Sequence, residues 1–379
     1  MPYEDADTDI VAELEGDDSL NAALSSAEGG YPMYNIKVER GFYTVFELKR
    51  KNDQKKPRII LDSDFQRKNV WKPAQKEELI ESILMGLPLP IFYFNQDKMG
   101  RLIVVDGRQR LTALFEFMND QWCFRNLKVL GELNGKKFSE LDPLAQSHIE
   151  DYQIQAHVIQ PPTPDRIKFD IFDRVNRAGT RLNKQEIRNA LYQGHSTQLL
   201  KRIAENKAFE KATEGAFVSN PRMKDRYIVL RYLAFSLYRN NKLFVNNSAF
   251  VYKNDIDELL GLTMEHINSM AEKDVVDLYD QVIESLNKTS AVLGENAFRL
   301  IRSDGSRGPI NMNVFEVVMY LMSKVNAADQ KRNKQLVGML KSMKNSTEFL
   351  DAIGNHRDSW TKVDKRFCMM DRLLEELYA

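Results

Sequence analysis

This chain of 379 residues is short of cysteine, of clustered histidine and of long apolar runs, and its first 36 residues contain no lysine or arginine. Each shortage excludes something. The two cysteines, Cys123 and Cys368, form no CxxC pair, which rules out a disulfide framework and a cysteine zinc site and fits a reducing cytoplasm. The five histidines, His148, His157, His195, His266 and His356, show no HxxxH or similar spacing, so no metal centre is expected from them. No apolar run approaches the roughly 18 residues of a membrane span, and no basic segment followed by an apolar one opens the chain. The sequence therefore reads as soluble, unexported and cytoplasmic. A GxxxxGK[ST] loop, a GxGxxG turn after a strand and a GxSxG elbow are all absent, which leaves Walker-type, Rossmann and α/β-hydrolase chemistry without their motifs.

What is present is a globular composition, 43% hydrophobic and 28% charged, long enough for two domains of ordinary size. The formal net charge of zero hides an asymmetry. Nine acids lie in residues 1–36, so the remainder carries 54 basic residues against 45 acidic ones, a formal +9. Residues 1–30 are expected to be an acidic, disordered tail; alternatively they form an arm over a basic groove that nucleic acid displaces.

The body is organised around Arg101 to Asn119. Leu102 to Val105 is a short, fully apolar, β-branched run, as in a strand covered on both faces. Leu111, Leu114, Phe115 and Met118 then recur at helical spacing, so a helix follows with one stripe in a core. Between strand and helix stand Asp106, Gly107, Arg108, Gln109 and Arg110. A Gly-containing turn into a helix start offers backbone N–H groups and the positive end of the helix dipole, which suit an anion. Arginines at such a place cost about 0.3–1 kcal/mol unless a negative group joins them. Asp106 is one such group, as N-cap and ion-pair partner; a bound phosphate is the other.

Around that centre, Thr44 to Glu47 has helix-capping spacing, Arg58 to Leu61 reads as a short strand, and Pro73 opens a helix whose buried stripe is Leu79, Ile80, Ile83, Leu84 and Leu87. Pro88 and Pro90 stop it. Ile91 to Phe94 and Leu102 to Val105 are expected to pair as a hairpin, with further strands at Trp122 to Val129 and Gln153 to Ile159 around a helix near Ser139 to Tyr152. Beyond Gln193 helical periodicity dominates, with apolar segments around Tyr227–Leu237, Val275–Val292 and Val314–Met322 read as core. Ser303 to Pro309, flanked by Arg299 and Arg302, reads as a basic loop, exposed to solvent or touching phosphates.

Phe65-Gln66-Arg67 with Trp71, the helix ending in Leu87-Pro88-Leu89-Pro90, and Val105-Asp106-Gly107-Arg108-Gln109-Arg110-Leu111-Thr112 resemble the N-terminal domain of GmrSD-type restriction proteins, known by an Asp-Gly-Gln-Gln-Arg motif. A second block, Phe172, Asn176, Gly179, Leu182, Glu186, Asn189 and Ala190, matches that family's Phe-x-x-x-Asn-x-x-Gly-x-x-Leu-x-x-x-Glu-x-x-Asn-Ala pattern. The resemblance covers about Thr44 to Leu191 and departs from the motif at Arg108, where the family usually has Gln. It implies an α+β fold: a small mixed sheet with helices, similar to ParB and sulfiredoxin, over residues 31–192, followed by a mostly α-helical domain over 193–379. It also implies that the Asp106–Arg110 loop holds nucleotide phosphates. Asp106 would then orient water or hold hydrated Mg²⁺, Arg108 and Arg110 would neutralise phosphate charge, and Gln109 would position water or a ligand edge. Gln66 and Arg67 would complete the pocket, with Asn176, Gly179, Glu186 and Asn189 as its supporting shell. These last four also have a purely structural account: Gly179 as a turn, and Asn183 with Glu186 as helix-cap chemistry.

The function implied is a nucleotide-binding, NTP-hydrolysing protein of DNA-directed defence against phage or foreign DNA. The alternatives are a nucleotide-gated DNA-binding switch without appreciable turnover, and a DNA nuclease or nickase. The family's frequent His-Asn-His nuclease domain is not found in the sequence, so a nuclease partner chain is compatible with it, as is a homo-oligomer.

Overall fold

A computed structural model describes residues 36–61, 71–97, 99–163, 167, 168, 171, 172, 174, 183–218, 223–302 and 304–379. The expected tail, residues 1–30, lies outside them. The described residues fall into two compact units, one ending at Leu191 and the other running from Tyr192 to Ala379.

The first unit is a five-stranded mixed sheet with helices, an α+β arrangement. In chain order it contains β1 (Lys37–Thr44), α1 (Val45–Asn52), β2 (Ile59–Ile60), α2 (Pro73–Leu84), β3 (Phe92–Gln96), β4 (Leu102–Asp106), α3 (Arg108–Met118), α4 (Pro143–Glu150), β5 (Gln153–Gln160) and α5 (Lys184–Leu191). The strand order is β1-β5-β3-β4-β2. β1–β5 and β3–β4 are antiparallel, while β3–β5 and β2–β4 are parallel. One face packs Phe92, Phe94, Val104, Ala156 and Val158 against Leu79, Ile80 and Ile83 of α2 and Leu111 and Leu114 of α3. The other packs Val105 and Ile159 against Phe172 and Ile187. Cover on both sides is why the strand at residues 102–105 is apolar throughout rather than alternating.

Local signals act as their chemistry requires. Thr44 Oγ1 accepts the Glu47 N–H at 3.0 Å to start α1, and Pro73 opens α2. Four expectations need correcting. β1 is an eight-residue strand that the sequence did not announce, because its outward residues Val38 and Phe42 are exposed and its pattern carries no apolar alternation toward the core. β2 comprises only Ile59 and Ile60, and Leu87, expected in the buried stripe of α2, is exposed.

The fourth correction is Trp122 to Val129, which forms no strand. Its N–H donors are taken by side chains: Glu77 accepts from Asn126 at 2.9 Å, Asn134 from Leu127 at 2.9 Å, and Glu81 from Val129 at 2.7 Å and Leu130 at 2.9 Å. Glu77 and Glu81 are buried on α2 and clamp this segment. Burial alone would raise the Glu81 pKa, but the Leu130 and Val129 N–H groups outweigh it and hold the carboxyl below its ordinary value.

The second unit is helical, with two small hairpins. Its elements are α6 (His195–Ala204), α7 (Lys207–Ala212), α8 (Lys224–Arg239), β6 (Phe244–Val245), β7 (Ser248–Ala249), α9 (Ile256–Ser269), α10 (Glu272–Val292), β8 (Arg299–Ile301), β9 (Arg307–Ile310), α11 (Met312–Lys324), α12 (Gln330–Lys344), α13 (Thr347–Ile353) and α14 (Trp360–Tyr378). Every residue of α11 from Asn313 to Met322 is buried, so this helix is the axis of the core. Inside it, Glu316 is fully buried between two fully buried arginines, Arg231 of α8 at 2.9 Å and Arg366 of α14 at 2.8 Å. Such a charge is tolerated only when paired and hydrogen-bonded on all sides.

The segment expected to be a loop at 303–309 belongs partly to a hairpin, since β8 and β9 pair antiparallel. Arg299 and Arg307 both ion-pair with Glu214, which ties these cations into the unit itself. No helix among the described residues is long and apolar enough to cross a membrane.

Candidate functional site

β4 ends at Asp106 and α3 begins at Arg108, so the whole change of direction falls on Gly107. Its φ is +95°, a left-handed conformation open to glycine and strained for other residues. Space imposes the same choice. A Cβ at residue 107 would stand 2.5 Å from Cε1 and 2.9 Å from Cγ of Phe92, inside van der Waals contact. The Leu111 N–H donates to the Gly107 carbonyl at 2.9 Å to close the first helical turn. Gly107 itself is the N-cap, no side chain caps the helix, and the first turn contains no acid. The helix start therefore keeps its positive end.

Asp106 is not the N-cap expected of it. Its Oδ2 accepts from Arg110 Nη2 at 3.0 Å, one helical turn along. The side chain remains about 40% exposed, so the ion pair fixes one carboxylate oxygen without sealing the group. Arg110 is buried. Its guanidinium donates to the Pro90 carbonyl and, at 3.4 Å, to the Ile91 carbonyl, and it lies 4.0 Å from the centroid of Phe92. Burial lowers the Arg110 pKa and the charge of Asp106 works against that shift; an arginine so placed keeps its proton. The cation that looked misplaced at a helix start is thus turned under the sheet edge, against an aromatic face and two carbonyls.

Gln109 Oε1 accepts the Trp71 N–H at 3.4 Å, joining the lead-in to α2 to the first turn of α3. Lys76 of α2 and Glu116 of α3 pair at 2.6 Å and brace the same two helices. Arg108 is partly exposed at the first helical position.

Of the supporting residues, Glu186 and Asn189 are buried in α5. Glu186 accepts the Asn183 N–H at 2.6 Å while Asn183 Oδ1 accepts the Glu186 N–H at 2.9 Å, a reciprocal cap. Ile187 of this helix packs against Val105, the neighbour of Asp106, so α5 buttresses the strand that delivers the carboxylate. Gln66, Arg67, Asn176 and Gly179 lie outside the described residues. Among the described residues no group of three or more His, Cys, Asp or Glu side chains is placed to hold a metal.

The junction also uses groups that the motif did not announce: the Phe92 ring, the Pro90 and Ile91 carbonyls and the Trp71 N–H. Three of these are backbone atoms, which carry no side-chain signature, and Pro90 had been legible only as a helix stop. Chemically, the assembly offers an uncapped helix start, a backbone lying close to whatever approaches Gly107, and a carboxylate with one oxygen fixed and its surface part open.

Residues 45–193 match the family model of the GmrSD restriction endonuclease N-terminal domain. The matched span runs from the first residue of α1 through α5 and contains the entire β4–α3 junction. No curated protein and no solved structure matches the chain.

Proposed function

We propose that this chain is a DNA-associated defence protein of the restriction type that binds a nucleoside triphosphate at the Asp106–Arg110 loop and hydrolyses it. The observation that carries this proposal is the Gly107 junction, an uncapped helix start beside a half-exposed carboxylate pinned by a buried arginine. The family match over the same residues and the basic body of the chain support it. Backbone N–H groups at the start of α3 receive phosphate oxygens, Arg108 adds charge from the surface, and Arg110 lends its charge from behind the loop while orienting Asp106. With Oδ2 held, Asp106 presents its exposed edge to a water molecule, as a water-positioning group does in phosphoryl transfer. Mg²⁺ is held by one or two carboxylates together with substrate phosphates, and a single half-exposed Asp106 fits that donor set. When bound, the ion would neutralise charge on the transferred phosphoryl group.

The test is phosphate release from a panel of nucleoside triphosphates with Mg²⁺, with and without DNA, on the wild type and on Asp106→Asn. Turnover that falls by about 10²-fold or more in the variant, with nucleotide binding retained, is expected. Absence of release from every nucleotide would remove hydrolysis, and failure of inorganic tripolyphosphate to bind would remove the phosphate site. The internal engagement of Arg110 favours one alternative, a switch in which nucleotide occupancy gates DNA binding without turnover. Binding without release would establish it, and DNA affinity should then fall linearly in log–log form with salt.

A further inference from the structure

The strand register sets a row of side chains across the sheet from the loop. Tyr93 of β3 stands opposite Asp106 of β4, at the irregularity that ends their pairing. In the next ladder Tyr93 stands opposite His157 of β5, and His157 opposite Arg40 of β1. Directly opposed residues share a face, so Tyr93, His157 and Arg40 lie together on the side of the sheet that carries Val105 and Ile159. The Tyr93 and His157 rings are 5.3 Å apart and tilted by 41°. Tyr93 leans on the Val105–Ile159 cluster, which backs it with rigid core. The surface is open: Tyr93 and His157 are only partly buried, Arg40 is exposed, and Phe42, two residues along β1 on the same face, is 64% exposed.

Aromatic rings half-sunk in a sheet, with a guanidinium at the far end, are an expensive surface to leave in water. Tyr93 lies on an internal strand, where an aliphatic side chain would pack against Val105 and Ile159 without presenting a polar ring edge. Three interstrand spacings separate β4 from β1, about 14 Å, the scale of a nucleotide laid out from its phosphates to its base.

We infer that this face, Tyr93 and His157 with Arg40 beyond them, receives the base of the nucleotide whose phosphates the Asp106–Arg110 loop holds. The assignment rests on the phosphate site proposed above. Stacking on the paired rings is tolerant of base identity because every base has a π-face, and Arg40 supplies a cation over or beside the base.

Calorimetry on the full chain with inorganic tripolyphosphate and with the four common nucleoside triphosphates separates the two ends of the ligand. In the wild type each nucleotide is expected to bind about tenfold or more tighter than tripolyphosphate, the usual scale of one base–aromatic stack. Tyr93→Leu, which keeps an apolar side chain against Val105, and His157→Ala should each remove most of that difference while tripolyphosphate affinity stays unchanged. Arg108→Ala should weaken both ligands together. Equal binding of nucleotide and tripolyphosphate by the wild type would overturn the base platform and leave the phosphate site standing. A parallel loss of both ligands in Tyr93→Leu would overturn it as well, as structural damage. Binding of neither ligand would remove the phosphate site and the platform with it. Loss of single-stranded oligonucleotide binding in Tyr93→Leu, with mononucleotide binding unchanged, would overturn the mononucleotide assignment.

Discussion

Gly107 rides directly on the ring of Phe92: the hydrogen that takes the place of a Cβ points at the aromatic edge, and a methyl group there would stand 2.5 Å from Cε1. The strand that ends the hairpin and the helix that follows it can meet at this angle only because one residue has no side chain. Gly107→Ala should therefore lose both ways, through a positive φ costing about 1–2 kcal/mol and through overpacking costing about 1–3 kcal/mol. Urea unfolding should show the midpoint falling at unchanged slope, and tripolyphosphate binding should weaken more than that loss of stability explains.

Arg110 and Asp106 make a second, separable prediction. Arg110→Ala strips the Pro90 and Ile91 carbonyls of a donor and uncovers the Phe92 face, and should destabilise by about 3 kcal/mol, on the scale of a broken buried pair. Asp106→Ala should cost less, because the carboxylate is half-exposed. A double-mutant cycle on the two should give a coupling of about 1 kcal/mol; a coupling of zero would mean that the pair does not orient the carboxylate.

Acid should act through Glu81. Its folded-state pKa lies below its ordinary value, so its contribution is present above the unfolded-state pKa of about 4.3 and is lost as pH falls through the lower folded value. Glu81→Gln should be clearly less stable than wild type at pH 7, and the gap should close below about pH 4. Chemical denaturation of both proteins across that range measures it, and a gap that widens in acid would contradict the assignment.

In the helical unit, Glu316→Gln leaves Arg231 and Arg366 facing one another in a dry core. It should cost about 3–5 kcal/mol. Replacing all three by apolar residues of similar volume should cost far less, and thermal unfolding of the single and triple variants decides between them.

How much of this could be read in advance depended on where the determining contacts lie. Leu102–Val105 announced a doubly covered strand because the requirement is local, an apolar side chain at every position. Thr44, Pro73 and Asn183–Glu186 were legible for the same reason, since a cap is satisfied within four residues. The 122–129 segment was not, because its donors are satisfied by Glu77 and Glu81, which lie 48 to 49 residues earlier. β1 was hidden because an edge strand with Val38 and Phe42 turned to solvent lacks the buried alternation that marks a half-covered one. At the junction, the sequence located Asp106 to Arg110 as a turn into a helix but assigned Asp106 the cap. The Phe92 ring and the Pro90 carbonyl, 18 and 20 residues before Arg110, are what draw the arginine inward and the carboxylate with it.

The charge triad of the helical unit has a consequence for the order in which that unit is made. Synthesis delivers Arg231 first, Glu316 85 residues later and Arg366 a further 50 residues on. Until α14 leaves the ribosome, α8 and α11 hold a carboxylate with only one of its two guanidinium partners, in a place that cannot be dry and stable at once. Closure of this core is thus deferred to its last contributor, and a nascent chain stalled before Arg366 would display an open apolar face to whatever chaperone or protease surveys unfinished proteins.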